Sequence, residues 1–347
     1  MLIILIMKWI NFNLYLLIFK MVTSLKYNNF FRSVQKDNLS KYYTGNIPGI
    51  YPKITRPWNG EKIEALIFEG GGARAVIYCG VIKCLEDYNL MSDMKYFAGS
   101  SSGAQVASLL AFGYNGSEME QLFHYSPWNE ILDKTINFNF LKNIHQLVSR
   151  YGIYDGDKLE QFYDTLFENK IGISKCTFNQ LYEKEQIHLR IGVCNVNIQD
   201  FIYLDYISNP DMPISKAIRA SSAIPLIFTI AEWENQMLID GGIMGNLPTT
   251  AFLDKKCLAC NLVSVDQSSI IETKPKNIFN YVKRVISMIL TAAQHQYGPL
   301  DIEKNNIDII NIAAYNISLL ETDISKDKFL NLIHEGYNST KLYLDFV

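Results

Sequence analysis

Two glycine clusters, each placed where a short apolar run gives way to a helical one, limit what this chain can fold into more than anything else in it. Residues 63–68 form an apolar run of strand length that ends in Glu69-Gly70-Gly71-Gly72. Residues 75–88 then carry Val76, Ile77, Gly80, Val81, Cys84 and Leu85 at helical spacing. Residues 96–98 read as a second short strand, followed by Gly99-Ser100-Ser101-Ser102-Gly103 and a strongly apolar helix over 104–112. Strand, turn, helix, repeated, is the βαβα rhythm of a parallel sheet, whose ligands gather at the carboxyl ends of the strands. Further along, 188–195 and 201–206 alternate like strands, and 214–222 reads as a short helix before Pro225. Residues 238–239 bring a strand to Asp240-Gly241-Gly242, and 262–265 and 307–312 read as strands. Helices are expected over 279–295 and from 326 to about 343. No internal repeat is evident.

Gly99-Ser100-Ser101-Ser102-Gly103 fits a nucleophile elbow, with Ser101 at its centre. A sharp strand-to-helix turn strains the serine and leaves no room for side chains beside it, which is what the two glycines supply. The helix that follows aims its positive end at the nucleophile and at any developing oxyanion. Gly70-Gly71-Gly72-Ala73-Arg74 lies at the neighbouring strand-to-helix junction, where three glycines in a row leave backbone N–H groups bare as an anion nest. A dinucleotide fingerprint would need Gly-X-Gly-X-X-Gly and an acid at the end of the next strand. Here the last glycine is replaced by Ala75, and the next strand ends in the serine elbow, so the spacing favours an oxyanion hole.

The base is less evident from residues alone. The five histidines, His124, His145, His188, His295 and His334, avoid the glycine turns and clear strand ends where a triad histidine is placed. Asp240 ends an apolar strand, precedes Gly241-Gly242 and is followed by Asn246 and Pro248. A carboxylate held there could take the serine proton directly if its surroundings raise its basicity. An Asp-Gly-Gly is also an ordinary turn.

Taken together, these blocks resemble the patatin-like phospholipase family. The matching residues are Gly70-Gly71-Gly72-Ala73-Arg74, Gly99-Ser100-Ser101-Ser102-Gly103-Ala104, and Asp240-Gly241-Gly242 with Asn246 and Pro248. Tyr154-Asp155-Gly156-Asp157 and Ala217-Ile218-Arg219-Ala220-Ser221-Ser222-Ala223-Ile224-Pro225 agree as well, in order, over about residues 63–343. The resemblance implies a three-layer α/β fold with a central, mostly parallel sheet flanked by helices. It also implies a lipid acyl hydrolase working by a Ser–Asp dyad, with Ser101 as nucleophile, Asp240 as base and the N–H groups of Gly71, Gly72 and Arg74 as oxyanion donors. No cofactor or metal belongs to that chemistry, and the substrate is a phospholipid or other acyl lipid met at a membrane surface. Two positions depart from the pattern: Glu69 stands where the family has Asp, and Ala75 where it has Gly. Neither removes a catalytic group. Arg74 could in addition steady a lipid phosphate, beside a structural role.

The remaining features bound the setting. With 48% hydrophobic residues among 347 and a net charge of −3, the chain can bury a large core and has no global basic field to attract nucleic acid. Cys257-Leu-Ala-Cys260 has redox or zinc spacing but no second pair or nearby histidine, so it reads as two ordinary cysteines leading into a strand. The six cysteines suit a reducing compartment, and the expected location is intracellular and peripheral to membranes. Residues 1–60 read as an N-terminal arm before an acyl hydrolase domain over 61–347. Within the arm, 1–24 is apolar but interrupted by Lys8, Asn11, Asn13 and Lys20, which leaves an anchor, a signal or an upstream extension before Met21 all open. Tyr125, Trp128, Phe138, Phe140 and Leu141 form either an interfacial cap or a set of core contacts. Two rivals remain in function: a soluble carboxylesterase or thioesterase acting on small acyl groups, and an inactive member binding lipid or protein.

Overall fold

The first strand shows how the two cores of the molecule arise. In a computed structural model of the chain, β1 (Ala65–Phe68) is wholly buried. Its side chains alternate, so Leu66 and Phe68 enter one apolar cluster while Ala65 and Ile67 enter another on the opposite face of the sheet. The residues described are 58–132, 140–264, 306–314, 317 and 321–345, with isolated positions 275, 281, 284, 285, 288 and 289. The arm through residue 57, and the helix expected over 279–295 apart from those isolated positions, lie outside them.

The remaining strands are β2 (Tyr96–Ser100), β3 (His188–Asn195), β4 (Asp200–Leu204), β5 (Ala231–Trp233), β6 (Gln236–Asp240), β7 (Cys257–Ser264) and β8 (Ile307–Ala314). They form one sheet in the order β5-β6-β3-β2-β1-β7-β8, with β4 paired to β3. The pairs β3–β2, β2–β1, β1–β7 and β7–β8 are parallel, whereas β4, β6 and β5 add antiparallel pairings. The expected mostly parallel sheet flanked by helices is therefore present, with a mixed edge. Cys257 and Cys260 lie within β7 rather than ahead of it, and both are buried.

β3 decides the geometry of the site. Along one edge it pairs with β4, through Ile191 to Asn195. Along the other it pairs first with β2, ending at Gly192 opposite Ser100, and then with β6, beginning at Val193 opposite Asp240. Where β2 leaves the sheet to enter its turn, β6 takes its place, so the residues after Ser100 and the end of β6 are brought side by side.

The main core lies under α1 (Ile77–Asp87), α2 (Ser102–Ala111) and the closing helix α9 (Lys326–Leu344). Between these, α3 (Gly116–Tyr125), α4 (Trp128–Ile131), α5 (Phe140–Arg150), α6 (Asp157–Ile171), α7 (Phe178–Glu185) and α8 (Ile214–Ser221) complete the helical elements named here. The helix expected from residue 75 starts later: Gly72–Val76 wind as a tight 3-10 turn, and α1 begins at Ile77. Among the described residues no helix is long and apolar enough to cross a membrane.

α1 and α9 cross at almost backbone contact. A Cβ built on Gly80 would lie 1.9 Å from the Ile333 carbonyl oxygen, and one on Gly336 would lie 2.1 Å from that of Ile77. Both obstacles are backbone, so the helices must separate to admit even a methyl group. We expect Gly80→Ala to cost about 1–3 kcal/mol of stability, read as a lower denaturant midpoint at unchanged slope. An unchanged midpoint would contradict this account of the crossing.

Candidate active site

The carboxyl end of β2 turns sharply into α2. Ser101 has φ 54° and ψ −127°, between the last residue of β2 and the first of α2. A non-glycine residue held at positive φ costs of order 1–3 kcal/mol and persists only when its surroundings over-determine it. Here the neighbours do so. A Cβ on Gly99 would fall 2.2 Å from the Gly103 carbonyl oxygen, and one on Gly103 would fall 2.3 Å from that of Phe68. With no side chains in those places, α2 starts at once, and the Ser101 carbonyl accepts from the Ala104 and Gln105 N–H groups.

Asp240 meets this turn because β6 has taken over the β3 edge. Ser101 Oγ donates to Asp240 Oδ2 at 2.7 Å, and the Gly242 N–H donates to Oδ1 at 2.7 Å. The carboxylate is only 1% exposed. Burial pushes its pKa from 3.8 up to about 7, against the lowering effect of the hydrogen bonds from Ser101 and Gly242. A carboxylate of that basicity can exchange a proton with a serine near neutral pH far better than an ordinary one.

The glycine loop after β1 lies against the same serine. A Cβ on Gly70 would sit 2.8 Å from Ser101 Cβ. Its three candidate donors differ, however. The Gly71 N–H donates to Ser102 Oγ at 2.8 Å, and the Arg74 N–H donates to the Gly71 carbonyl at 3.2 Å. The Gly72 N–H, at φ 55°, has no acceptor among the described residues and is the donor left open. Arg74 itself donates from Nε to the Ile317 carbonyl, which ties its side chain to the scaffold.

Glu69 holds this loop from beneath. Fully buried, it accepts from Asn246 Nδ2 at 2.7 Å on one oxygen and from the Leu262 N–H on the other. Asn246 Nδ2 also donates to the Gly70 carbonyl, and the Gly70 N–H donates to the Asn246 carbonyl. Asn246 thus couples the glycine loop to the segment that follows Asp240. Ser100 Oγ adds a second tie by donating to the Gly245 carbonyl at 2.6 Å.

A family model described as patatin-like phospholipase matches residues 66–253, more than half of the chain. The chain belongs to the patatin-like phospholipase family. The uncharacterized protein R571 of Acanthamoeba polyphaga mimivirus is 29% identical over 242 residues, 68% of this chain and 78% of that one. A protein of Invertebrate iridescent virus 6 named "Probable lipid hydrolase 463L" is 26% identical over 280 residues, 80% of this chain and 88% of its own. In fold the chain is similar to VipD from Legionella pneumophila, with a TM-score of 0.53 at 15% identity over 84% of this chain and 70% of that one.

The other blocks of this patatin-like chain have structural work. Arg219, 5% exposed, donates to the Thr229 carbonyl and hydroxyl and to the Asp155 carbonyl, fixing the Tyr154–Asp157 loop beside α8. Desolvation lowers its pKa. Reading the sequence alone missed Ser102, Ser221 and Gly192 as parts of the site. The Ser101 N–H donates to Ser221 Oγ at 2.8 Å, and Ser221 Oγ donates to the Gly192 carbonyl at 2.7 Å. Ser102 lies inside the elbow and Ser221 inside the Ala217–Pro225 segment, but neither has its partner near it in sequence.

Among the described residues the histidines sit elsewhere. His188 stacks on Tyr96 at the far end of β3, while His124, His145 and His334 are exposed; His295 lies outside the described residues. Of the aromatics weighed as a cap, Trp128 packs against Phe123 and Phe162 and donates from its indole to the Phe123 carbonyl, whereas Tyr125 is 79% exposed. Phe138 and the side chains of Phe140 and Leu141 are outside the described residues. No group of three or more His, Cys, Asp or Glu among the described residues is arranged to hold a metal ion.

Burial of Asp240 has a consequence for stability. Its folded pKa lies above its unfolded value, so the stabilisation it gives is complete below about pH 4 and is lost as pH rises through about 7. Asp240→Asn removes that titration. We expect the stability advantage of Asp240→Asn over wild type to grow between pH 5 and pH 8 by on the order of 2 kcal/mol. Denaturant midpoints of both proteins at the two pH values test it, and an equal difference at both would show that the carboxyl titrates where an ordinary one does.

Proposed function

We propose that the protein is a lipid acyl hydrolase of the phospholipase A type, cleaving fatty acyl esters through an acyl-enzyme on Ser101. The observation that carries this reading is the 2.7 Å hydrogen bond from Ser101 Oγ to the buried Asp240 at the tip of a strained turn. Lipid as the substrate is supported by membership of the patatin-like phospholipase family and by a relative named as a lipid hydrolase.

The chemistry follows from the arrangement. Ser101 Oγ attacks the ester carbonyl while its proton passes to Asp240 Oδ2. The tetrahedral oxyanion is held by N–H groups of the glycine loop, with Gly72 the first donor and Gly71 and Arg74 joining if substrate draws them from their present acceptors. Collapse expels the lysolipid alkoxide, which takes the proton from Asp240. Water, losing a proton to the same carboxylate, then attacks the acyl-enzyme, and collapse releases the fatty acid as the departing Ser101 Oγ takes that proton back from Asp240. The helix dipole of α2 adds to oxyanion stabilisation from its N-terminus. The substrate is met at a membrane surface, to which the protein attaches peripherally.

Ser101→Ala and Asp240→Asn should each lower fatty acid release from phospholipid vesicles by at least about 10³-fold while leaving the fold intact by circular dichroism. Activity per molecule should also be higher on vesicles than on monomeric short-chain esters of the same acyl bond. Wild-type turnover by Ser101→Ala would overturn the nucleophile. A preference for monomeric esters would favour the soluble esterase instead.

A further inference from the structure

Ser221 is buried completely at the last position of α8, and nothing in the acyl-transfer steps uses it. Its hydroxyl nevertheless stands between the nucleophile and the sheet. A serine hydroxyl has one proton to give and lone pairs with which to accept. Ser221 gives its proton to the Gly192 carbonyl at 2.7 Å and accepts the Ser101 N–H at 2.8 Å. The chain of bonds runs one way, from Ser101 N–H through Ser221 to Gly192, and each bond polarises the next.

The far end of that chain is the handover point on β3. Gly192 is the last residue of β3 in register with β2, and Val193 is the first in register with β6. The Gly192 carbonyl is also closely approached from β6's end, where a Cβ on Gly241 would lie 2.2 Å from it. One hydroxyl therefore references the backbone of the nucleophile to the point on the sheet that sets the place of Asp240. It also commits the Ser101 N–H, which is then not offered to an oxyanion.

We propose that Ser221 is a positioning residue for the nucleophile, holding the Ser101 backbone in its positive-φ turn so that Oγ faces Asp240 and leaving the oxyanion to the glycine loop. The proposal rests on Ser101 being the nucleophile, and its test separates the two. Replacing the hydroxyl by hydrogen, as in Ser221→Ala, takes away the bond that Ser221 accepts from the Ser101 N–H, while altering no atom of either member of the dyad. Displacement of a reacting atom by about 1 Å can cost on the order of 100-fold in rate without changing substrate affinity.

The test compares the full chain as wild type, Ser221→Ala, Ser221→Thr and Ser101→Ala. Two rates are measured, both per folded molecule by circular dichroism: hydrolysis of phospholipid vesicles, and formation of a single adduct with an alkyl fluorophosphonate by intact mass. Ser221→Ala should lower kcat and the adduct rate by about 10- to 100-fold with KM within about twofold. Ser221→Thr, which keeps a hydroxyl, should recover most of the loss. Wild-type rates in Ser221→Ala, a change confined to KM, or equal losses in the alanine and threonine variants would each overturn the proposal. If wild type forms no adduct, or Ser101→Ala forms it equally, the nucleophile reading has failed and the Ser221 role falls with it.

Discussion

The site depends on a single change of partners along one edge of β3. Up to Gly192 that edge belongs to β2, and from Val193 it belongs to β6. Because β2 stops there, its chain turns sharply at Ser101, and because β6 starts there, its last residue is Asp240. The 2.7 Å bond between the two side chains joins residues 139 positions apart, and it is set by sheet register rather than by any local preference. Shifting β6 by one residue would turn Asp240 to the opposite face and break its hydrogen bond with Ser101.

Everything else around the dyad keeps two unfavourable features in place. One is the backbone of Ser101, held at positive φ by the close approach of Gly99, Gly103 and the β1 carbonyls. The other is a carboxyl group removed from water, whose charged form is disfavoured enough to raise its pKa to about 7. Glu69 and Asn246 anchor the glycine loop against these two groups, and Arg219 fixes the loop before α6. Strain and desolvation are concentrated at one point with a well-bonded frame around it, as expected of the proposed catalytic site.

The sequence disclosed the parts of this site that are local. A strand, a glycine turn and a helix follow one another within about fifteen residues, so the Ser101 elbow and the glycine loop could be placed without tertiary knowledge. Asp240 was visible as a strand end but took on a role only through the resemblance of several ordered blocks. What stayed hidden was long-range. The bonds from Ser101 to Ser221, from Ser100 to Gly245 and from Glu69 to Asn246 span 120, 145 and 177 positions, and a serine or asparagine at either end carries no mark of its partner. The glycine pattern also gave no means of distinguishing Gly72, whose N–H has no acceptor among the described residues, from Gly71, whose N–H is held by Ser102. Short elements behaved likewise. The three-residue β5 has too few positions to show alternation, and the helix expected from residue 75 begins only at Ile77 because Ala75 and Val76, apolar residues that suit either, close the 3-10 turn over Gly72–Val76.

Asp240, bonded to Ser101 with no histidine between, is the proposed base for the nucleophile. Its most direct test follows the Asp240 carboxyl by carbon NMR in protein labelled at aspartate, assigned by the signal lost in Asp240→Asn, alongside the pH dependence of kcat/KM. The account predicts a titration with a midpoint near pH 7 and an acid limb of kcat/KM at the same pH, where Asp240 must be ionised to accept the proton. An Asp240 signal that titrates in the ordinary carboxylate range near pH 4, with activity governed by a separate group near pH 7, would contradict it.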